Sequence, residues 1–228
     1  MRPDKAAGSL RCEATLERAL RRRGFHAVAG TDEVGRGCLF GPVVAAAVIL
    51  AADRPVRGLN DSKQLEPDRR EVLAIRVRER AVAWALAAVD AATIDAINIY
   101  QASRLAMRRA VEALDPAPDY VLADAVTLEV RVPQQALIHG DARCHAIAAA
   151  SILAKVYRDE LMRRWDAVFP EYGLASNKGY GTPEHLRALA QCGPTPLHRL
   201  TYEPVRQHSR FPLDQTAQLE LFAAAGAA

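Results

Sequence analysis

Apolar positions recur at helical spacing in CEATLERALRRR, residues 12–23, which ends in three arginines and is followed by Gly24, a helix stop. Next come HAVAGTDEV, 26–34, and VVAAAVIL, 43–50, two apolar runs joined by the turn GRGCLFGP; this order predicts a β-hairpin. Pro67 opens a helix that should run to about Arg80. AVAWALAAVD, 81–90, is a third strand candidate, although its alanines also suit a helix. Thr93 is placed to cap a long helix through Leu114, with Ile94, Ile97, Leu105, Met107 and Val111 among its apolar positions, and DPAPD, 115–119, ends it. YVLADA, 120–125, reads as a short buried strand, and QALIHGD, 135–141, as another that ends in Asp141. A helix from Cys144 to about Phe169 begins with small side chains that let it lie close to a sheet. TPEHLRALAQCG has Thr182 as cap and Pro183 at the first helical position. No internal repeat or long low-complexity segment interrupts the pattern.

A hairpin followed by strands that alternate with helices predicts an α/β fold. Its central sheet is mixed, antiparallel on one side and parallel on the other, with helices on its flanks. The 228 residues, half of them hydrophobic, suffice for one large core. The expected division is a basic helical extension over 1–24, a main α/β domain over 25–210 and a loose tail over 211–228. Net charge is only +3, yet 26 of the 30 basic residues are arginine, the side chain suited to bidentate phosphate contact. A GC-rich genome would give the same bias, so a nucleic-acid partner is permitted and not required. Cys12, Cys38, Cys144 and Cys192 are scattered without a CxxC pair, which predicts free thiols and a cytoplasmic protein. The longest apolar run, Val43–Ala52, falls short of the ~20 residues that span a bilayer, and the N-terminus lacks a signal peptide's apolar core.

Within this pattern two adjacent carboxylates, Asp32 and Glu33, stand at the edge of a buried strand. An unpaired buried carboxylate costs several kcal/mol or takes up a proton, so the pair needs a cation, a hydrogen-bond network or a metal. Asp124 and Asp141 also fall at or just past the ends of apolar segments, where open α/β sheets place their sites. Four converging carboxylates match Mg²⁺ or Mn²⁺, and two such ions about 4 Å apart suit in-line phosphoryl displacement. One difficulty is geometric: neighbouring strand residues face opposite sides, so the glycine-rich turn after Glu33 would have to break the alternation. A zinc site from His139, Asp141, Cys144 and His145 is a second arrangement, but such close spacing rarely closes a tetrahedron. Lys155 and Asp159, four apart on a helix, suit an ion pair as well as a functional couple.

DEVGRG at 32–37, GPVVAAAVIL at 41–50, LNDSKQL at 59–65, GD at 140–141, AAASILAKVYRD at 148–159, NKGYGTPEH at 177–185 and HRLTYEPV at 198–205 resemble, in order, the blocks of bacterial ribonuclease HII. The resemblance implies a ribonuclease-H-like fold and an endoribonuclease that hydrolyses the RNA strand of RNA–DNA hybrids. It also implies nicking of duplex DNA 5′ to an embedded ribonucleotide, with 3′-hydroxyl and 5′-phosphate products. By motif, Asp32, Glu33, Asp124 and Asp141 are the catalytic, metal-holding acids. Gly35, Arg36 and Gly37 match the turn that reads the ribose 2′-hydroxyl, and Tyr180 matches the tyrosine at the RNA–DNA junction. Ser62, Lys63 and Lys178 are candidate phosphate contacts. Three departures stand out: Ala125 where Asp-Gly is common, His139 where many members carry lysine, and Thr-Tyr at 201–202 where Ser-Phe is usual.

In the tail, Gln218, Leu219, Leu221 and Phe222 of QLELF resemble the motif by which bacterial repair proteins bind the sliding clamp, and the alternative is a terminal helix docked on its own domain. The chain is expected to act as a monomer. Two other function classes are open to these residues: a non-catalytic hybrid-binding module, and a junction resolvase or another nuclease of the same fold. The latter needs clustered carboxylates but neither the GRG turn nor the tyrosine.

Overall fold

The computed structural model describes residues 12–209. Five strands form one sheet: β1 (Val28–Val34), β2 (Val43–Leu50), β3 (Ala81–Val89), β4 (Tyr120–Asp124) and β5 (Gln134–Leu137). Their order is β3-β2-β1-β4-β5. β2 pairs antiparallel with both β1 and β3, whereas β4 runs parallel to β1 and β5 to β4, the mixed sheet expected from the sequence. Residues 81–89 are therefore strand, despite five alanines in the stretch.

Helix α1 (Thr15–Arg22) precedes the sheet, and α2 (Pro67–Arg80) joins β2 to β3 with the bounds that its proline predicts. Both faces of β2 are covered, which is why its sequence is one unbroken apolar run. Val43, Ala45, Ala47 and Ile49 pack in the cluster with Met107 and Val111; Val44, Ala46 and Val48 pack in the cluster with Leu73, Val77, Ile152 and Leu153. The helix expected from Thr93 to Leu114 is two helices, α3 (Ala91–Ile97) and α4 (Ile99–Glu112), broken at Asn98. Asn98 is left-handed in φ (67°), and its side chain accepts from Gln101 N to start α4. Asp90, not Thr93, caps the first piece: its Oδ1 accepts from Thr93 N at 2.8 Å.

The long helix α5 (His145–Asp166) lies across the sheet, and short helices α6 (Leu174–Asn177), α7 (Pro183–Cys192) and α8 (Glu203–Arg206) complete the chain. Thr182 caps α7 by accepting from His185 N, as its position predicts. Cys144, at the start of α5, gives no side-chain cap. Instead Glu17 of α1, itself buried, accepts from Ala146 N at 2.9 Å and from Cys144 Sγ at 3.2 Å. A carboxylate there offsets the helix dipole and uses an amide left over at the first turn. The basic first helix is thus packed into the fold through Leu16, Leu20 and Glu17. The four cysteines are free thiols. Among the described residues no helix is long and apolar enough to cross a membrane. Gln218, Leu219, Leu221 and Phe222 lie outside the described residues.

Candidate active site

The sheet brings Asp32 and Asp124 together. The last β1–β4 pair is Thr31 with Ala123, so the next residue of each parallel strand is a carboxylate, and the two stand side by side where the sheet ends. Asp124 Oδ1 accepts from Gly140 N at 2.7 Å, which ties the end of β4 to the turn that carries Asp141. Asp141 is not a strand residue, contrary to the sequence expectation. β5 stops at Leu137, His139 takes a left-handed conformation, and a 3₁₀ turn over Gly140–Ala142 presents the carboxylate. Ala125, the residue after Asp124, has φ of +52°, a region that costs a non-glycine residue about 1 kcal/mol and explains why glycine suits this position.

The glycine turn does not break the strand alternation. Glu33 and Val34 stay in register with Ala45 and Val44 of β2. Gly30 lies against α5 and Val34 packs with it, so Asp32 shares that face and Glu33 points to the other. Both still line one cleft because they lie beyond the last β1–β4 pair, where β2 alone flanks β1 and a side chain can reach around the rim on the β4 side. The cleft, of about 410 Å³, is lined by all four acids together with Gly35, Arg36, Gly37, Ser62, Lys63 and Tyr180. Lys178 is not among these: its ammonium folds back onto the Ala175 carbonyl. The Ser62 hydroxyl is buried against Ser151 Oγ at 2.9 Å.

Two further side chains of the cleft, Ser151 and Lys155, come from one face of α5. Their signal in the sequence is a polar pair four apart in an alanine-rich helix. Lys155 also forms the ion pair with Asp159 that its spacing allows, at 2.6 Å.

Gly35 is held in a conformation with φ of +93°, and a Cβ there would lie 2.2 Å from Arg158 Nε. Arg158 is fully buried and donates to the carbonyls of Pro42, Lys178 and Phe40. Arg199, equally buried, donates to the carbonyls of Gly35, Arg36 and Gly41. Arg199 thus draws the Gly35 and Arg36 oxygens of the glycine turn inward, and Arg158 ties the Phe40 and Pro42 oxygens that follow it to that of Lys178. Sequence reading missed both, since nothing in their spacing marks an arginine as buried. Tyr180 sits beside this turn, 41% exposed, with its ring edge 3.9 Å from where a Gly37 Cβ would be.

Burial raises the pKa of Asp32 well above the ordinary carboxylate value, reinforced by the charges of Glu33 and Asp124. Burial also raises Glu33, against the lowering effect of the Arg36 ion pair at 3.2 Å, and raises Asp141, where Asp61 and Asp124 add to the effect and Lys63 opposes it. Glu33 Oε2 is buried without a hydrogen-bond partner. Clustered, desolvated oxygen donors with an orphaned carboxylate oxygen fit a hard divalent cation. Among the described residues no three His, Cys, Asp or Glu groups already stand as a closed metal cage, so an ion would have to draw the acids in. The zinc alternative loses its donors: Cys144 Sγ is spent on Glu17, and His145 Nε2 is within hydrogen-bond reach of the Cys12 carbonyl, 3.2 Å away.

A stability effect follows with a definite sign. Groups whose pKa is raised on folding bind more protons in the native state, so their contribution to stability is complete below the ordinary carboxylate range and is lost as pH rises through the raised values. In a chelator at pH 7, Asp32→Asn should therefore melt above the wild type, by roughly 2–4 °C for each kcal/mol of relieved repulsion. The gain should disappear near pH 4 and shrink when Mg²⁺ is added. Melting curves by circular dichroism check this, and equal melting temperatures at all pH values would refute it.

An acidic cleft at the rim of a mixed α/β sheet, beside a glycine turn and lysines, belongs to the nucleases of ribonuclease-H-like fold. The family model for ribonuclease HII matches residues 29–205. The chain is 75% identical to the ribonuclease HII of Solibacter usitatus (strain Ellin6076) over the full length of both. It is similar in structure to ribonuclease H2 from Pyrococcus horikoshii OT3, with a TM-score of 0.69 and 26% identity over 79% of this chain and 96% of that one. The Archaeoglobus fulgidus ribonuclease HII, solved in a complex with PCNA, gives a TM-score of 0.66 and 25% identity over 82% of this chain and 99% of that one. The chain belongs to the ribonuclease HII family, and it is an endoribonuclease that acts on RNA–DNA hybrids. Divalent-metal dependence goes with the family.

Proposed function

We propose that the protein cuts duplex DNA on the 5′ side of an embedded ribonucleotide, as well as the RNA strand of hybrids, and leaves a 3′-hydroxyl and a 5′-phosphate. The observation that supports this reading is the shared cleft, in which four carboxylates stand beside a glycine turn and an exposed tyrosine. Asp32, Glu33, Asp124 and Asp141 would hold Mg²⁺ or Mn²⁺. A pair of such ions supplies an activated water and stabilises the leaving 3′-oxygen.

The chain's own residues bind and orient the substrate. Gly35, Arg36 and Gly37 let backbone approach a sugar closely, and a 2′-hydroxyl, both donor and acceptor, is the group that tells RNA from DNA. Arg199 keeps the Gly35 and Arg36 carbonyls on the inner side of this turn, and Arg158 holds the Phe40 and Pro42 carbonyls that follow it. Tyr180 packs on the sugar that follows the ribonucleotide and favours deoxyribose there. Lys63 and Lys155 are in the cleft to meet phosphate oxygens, with Ser62 in its wall and Lys178 outside it as a further phosphate contact, and these contacts position the duplex without reading its sequence.

A labelled duplex with one ribonucleotide, set against an all-DNA duplex, tests the proposal. One nick 5′ to the ribonucleotide and none in the control is the expected result; equal cutting of both would overturn it. The tail carries a separate reading. Gln218, Leu219, Leu221 and Phe222 bind a sliding clamp, in keeping with the clamp complex of the Archaeoglobus relative. Purified clamp should bind the full chain and not a chain ended at Ala217, and equal binding would dismiss the idea.

A further inference from the structure

Two imidazoles that do not line the cleft meet at a tilt of 55°, with ring centroids 5.3 Å apart. His185 of α7 and His198 are both buried, and their Nε2 atoms lie 3.0 Å apart. Each outer nitrogen has a partner that fixes the tautomer. His185 Nδ1 is 2.9 Å from the Tyr180 carbonyl, which can only accept, so Nδ1 carries the hydrogen. Thr195 N, which can only donate, points at His198 Nδ1 from 3.0 Å, so that nitrogen is bare and Nε2–H donates to His185 Nε2. The Thr195 hydroxyl also lies 3.0 Å from His198 Nδ1 and can donate to the same bare nitrogen, so one set of neutral tautomers fits all these contacts. Burial and the neighbouring imidazole hold His198 neutral, its pKa lowered to about 3. The rings of Phe40 and Tyr172 enclose His198 at 4.9 and 4.8 Å between centroids.

The chain ends of this relay are the two halves of the ribose-reading site. One end is the backbone of Tyr180. The other is His198, whose neighbour in sequence, Arg199, holds the Gly35 and Arg36 carbonyls at 2.7 Å each. We propose that the His185–His198 pair is a positioning device that sets Tyr180 relative to the glycine turn and thereby the preference for a ribonucleotide followed by deoxyribose. The proposal rests on the reading of Tyr180 given above. A displacement of that ring alters the junction contact and leaves the four acids where they are.

Two substitutions of similar size and polarity separate positioning from mere packing. His185→Asn keeps a donor at the place of Nδ1 and loses His198, whereas His185→Gln reaches His198 and loses the bond to Tyr180. The readout is the ratio of kcat/KM on a single-ribonucleotide duplex to that on a uniform RNA–DNA hybrid. It should fall about tenfold in His185→Gln, the size of one lost buried hydrogen bond, and less than about threefold in His185→Asn. In a Tyr180→Ala background His185→Gln should change the ratio no further. Equal ratios for the Gln and Asn variants, or effects that multiply in the double variant, would overturn the proposal. A ratio unmoved by Tyr180→Ala alone would withdraw the tyrosine reading and the proposal with it. Ring ¹⁵N shifts of the full chain need no variant: a proton on His185 Nε2 in place of Nδ1 would also overturn it.

Discussion

Asp124→Asn should lower the cleavage rate by a factor of about a thousand or more, with duplex affinity within about threefold of wild type. The substitution is a clean one. Asp124 Oδ1 accepts from Gly140 N, and an asparagine oxygen can accept the same bond, so the turn that presents Asp141 keeps its anchor. What is lost is one negative charge from a group of four, and with it a ligand that a hard cation prefers. Asp32→Asn should behave alike, because its carboxylate lies next to Asp124 at the end of the parallel pair. Single-turnover cleavage of a hybrid, with binding followed separately by fluorescence anisotropy, measures both quantities. Activity within tenfold of wild type in either variant would count against the acids as the catalytic centre.

Gly30→Ala should be strongly destabilising, although it adds a single methyl group. A Cβ at this position of β1 would lie 2.2 Å from the Ala146 carbonyl carbon and 2.3 Å from Ile147 N. Those atoms are backbone, so no rotamer change can make room. The first turns of α5 would have to lift by about 1.3–1.8 Å to reach ordinary contact. That would separate Ala148, Ala149, Ile152 and Leu153 from the β2 side chains Val44, Ala46 and Val48. Overpacking of this kind costs about 3 kcal/mol or more, a fall of roughly 6–12 °C in melting temperature for a chain of this size. Because the same movement pulls Ser151 and Lys155 away from Asp32, activity should fall with stability. A variant that melts within about a degree of wild type would show that α5 does not rest directly on β1.

Much of this arrangement was readable before any coordinates. Both hairpin strands, the helix from Pro67 and the Thr182 cap follow from apolar runs and local capping chemistry, which depend on few distant partners. The acids were legible one by one, as carboxylates at the ends of buried segments. Their convergence was carried by the ordered blocks of the ribonuclease HII resemblance, since spacing alone does not say that β4 lies beside β1. The break at Asn98 escaped a helical pattern that continues on both sides of it, because a left-handed asparagine is decided by how α3 and α4 pack. The end of β5 was misplaced for a similar reason: Ile138 continues the apolar stretch in sequence, while the strand has already ended at Leu137 and His139 takes a left-handed conformation. Arg158, Arg199, His185 and His198 were invisible as buried groups. Their burial is made tolerable by backbone carbonyls and amides from distant loops, which no local pattern records.

The claim that everything else leans on is that Asp32, Glu33, Asp124 and Asp141 exist to hold divalent ions. Electron paramagnetic resonance of free Mn²⁺, titrated with wild-type protein and with Asp124→Asn, measures it directly. The account predicts uptake of Mn²⁺ by the wild type and at least about tenfold weaker uptake by the variant, with cleavage tracking occupancy. Equal uptake by the two proteins, or full cleavage in excess chelator, would contradict it.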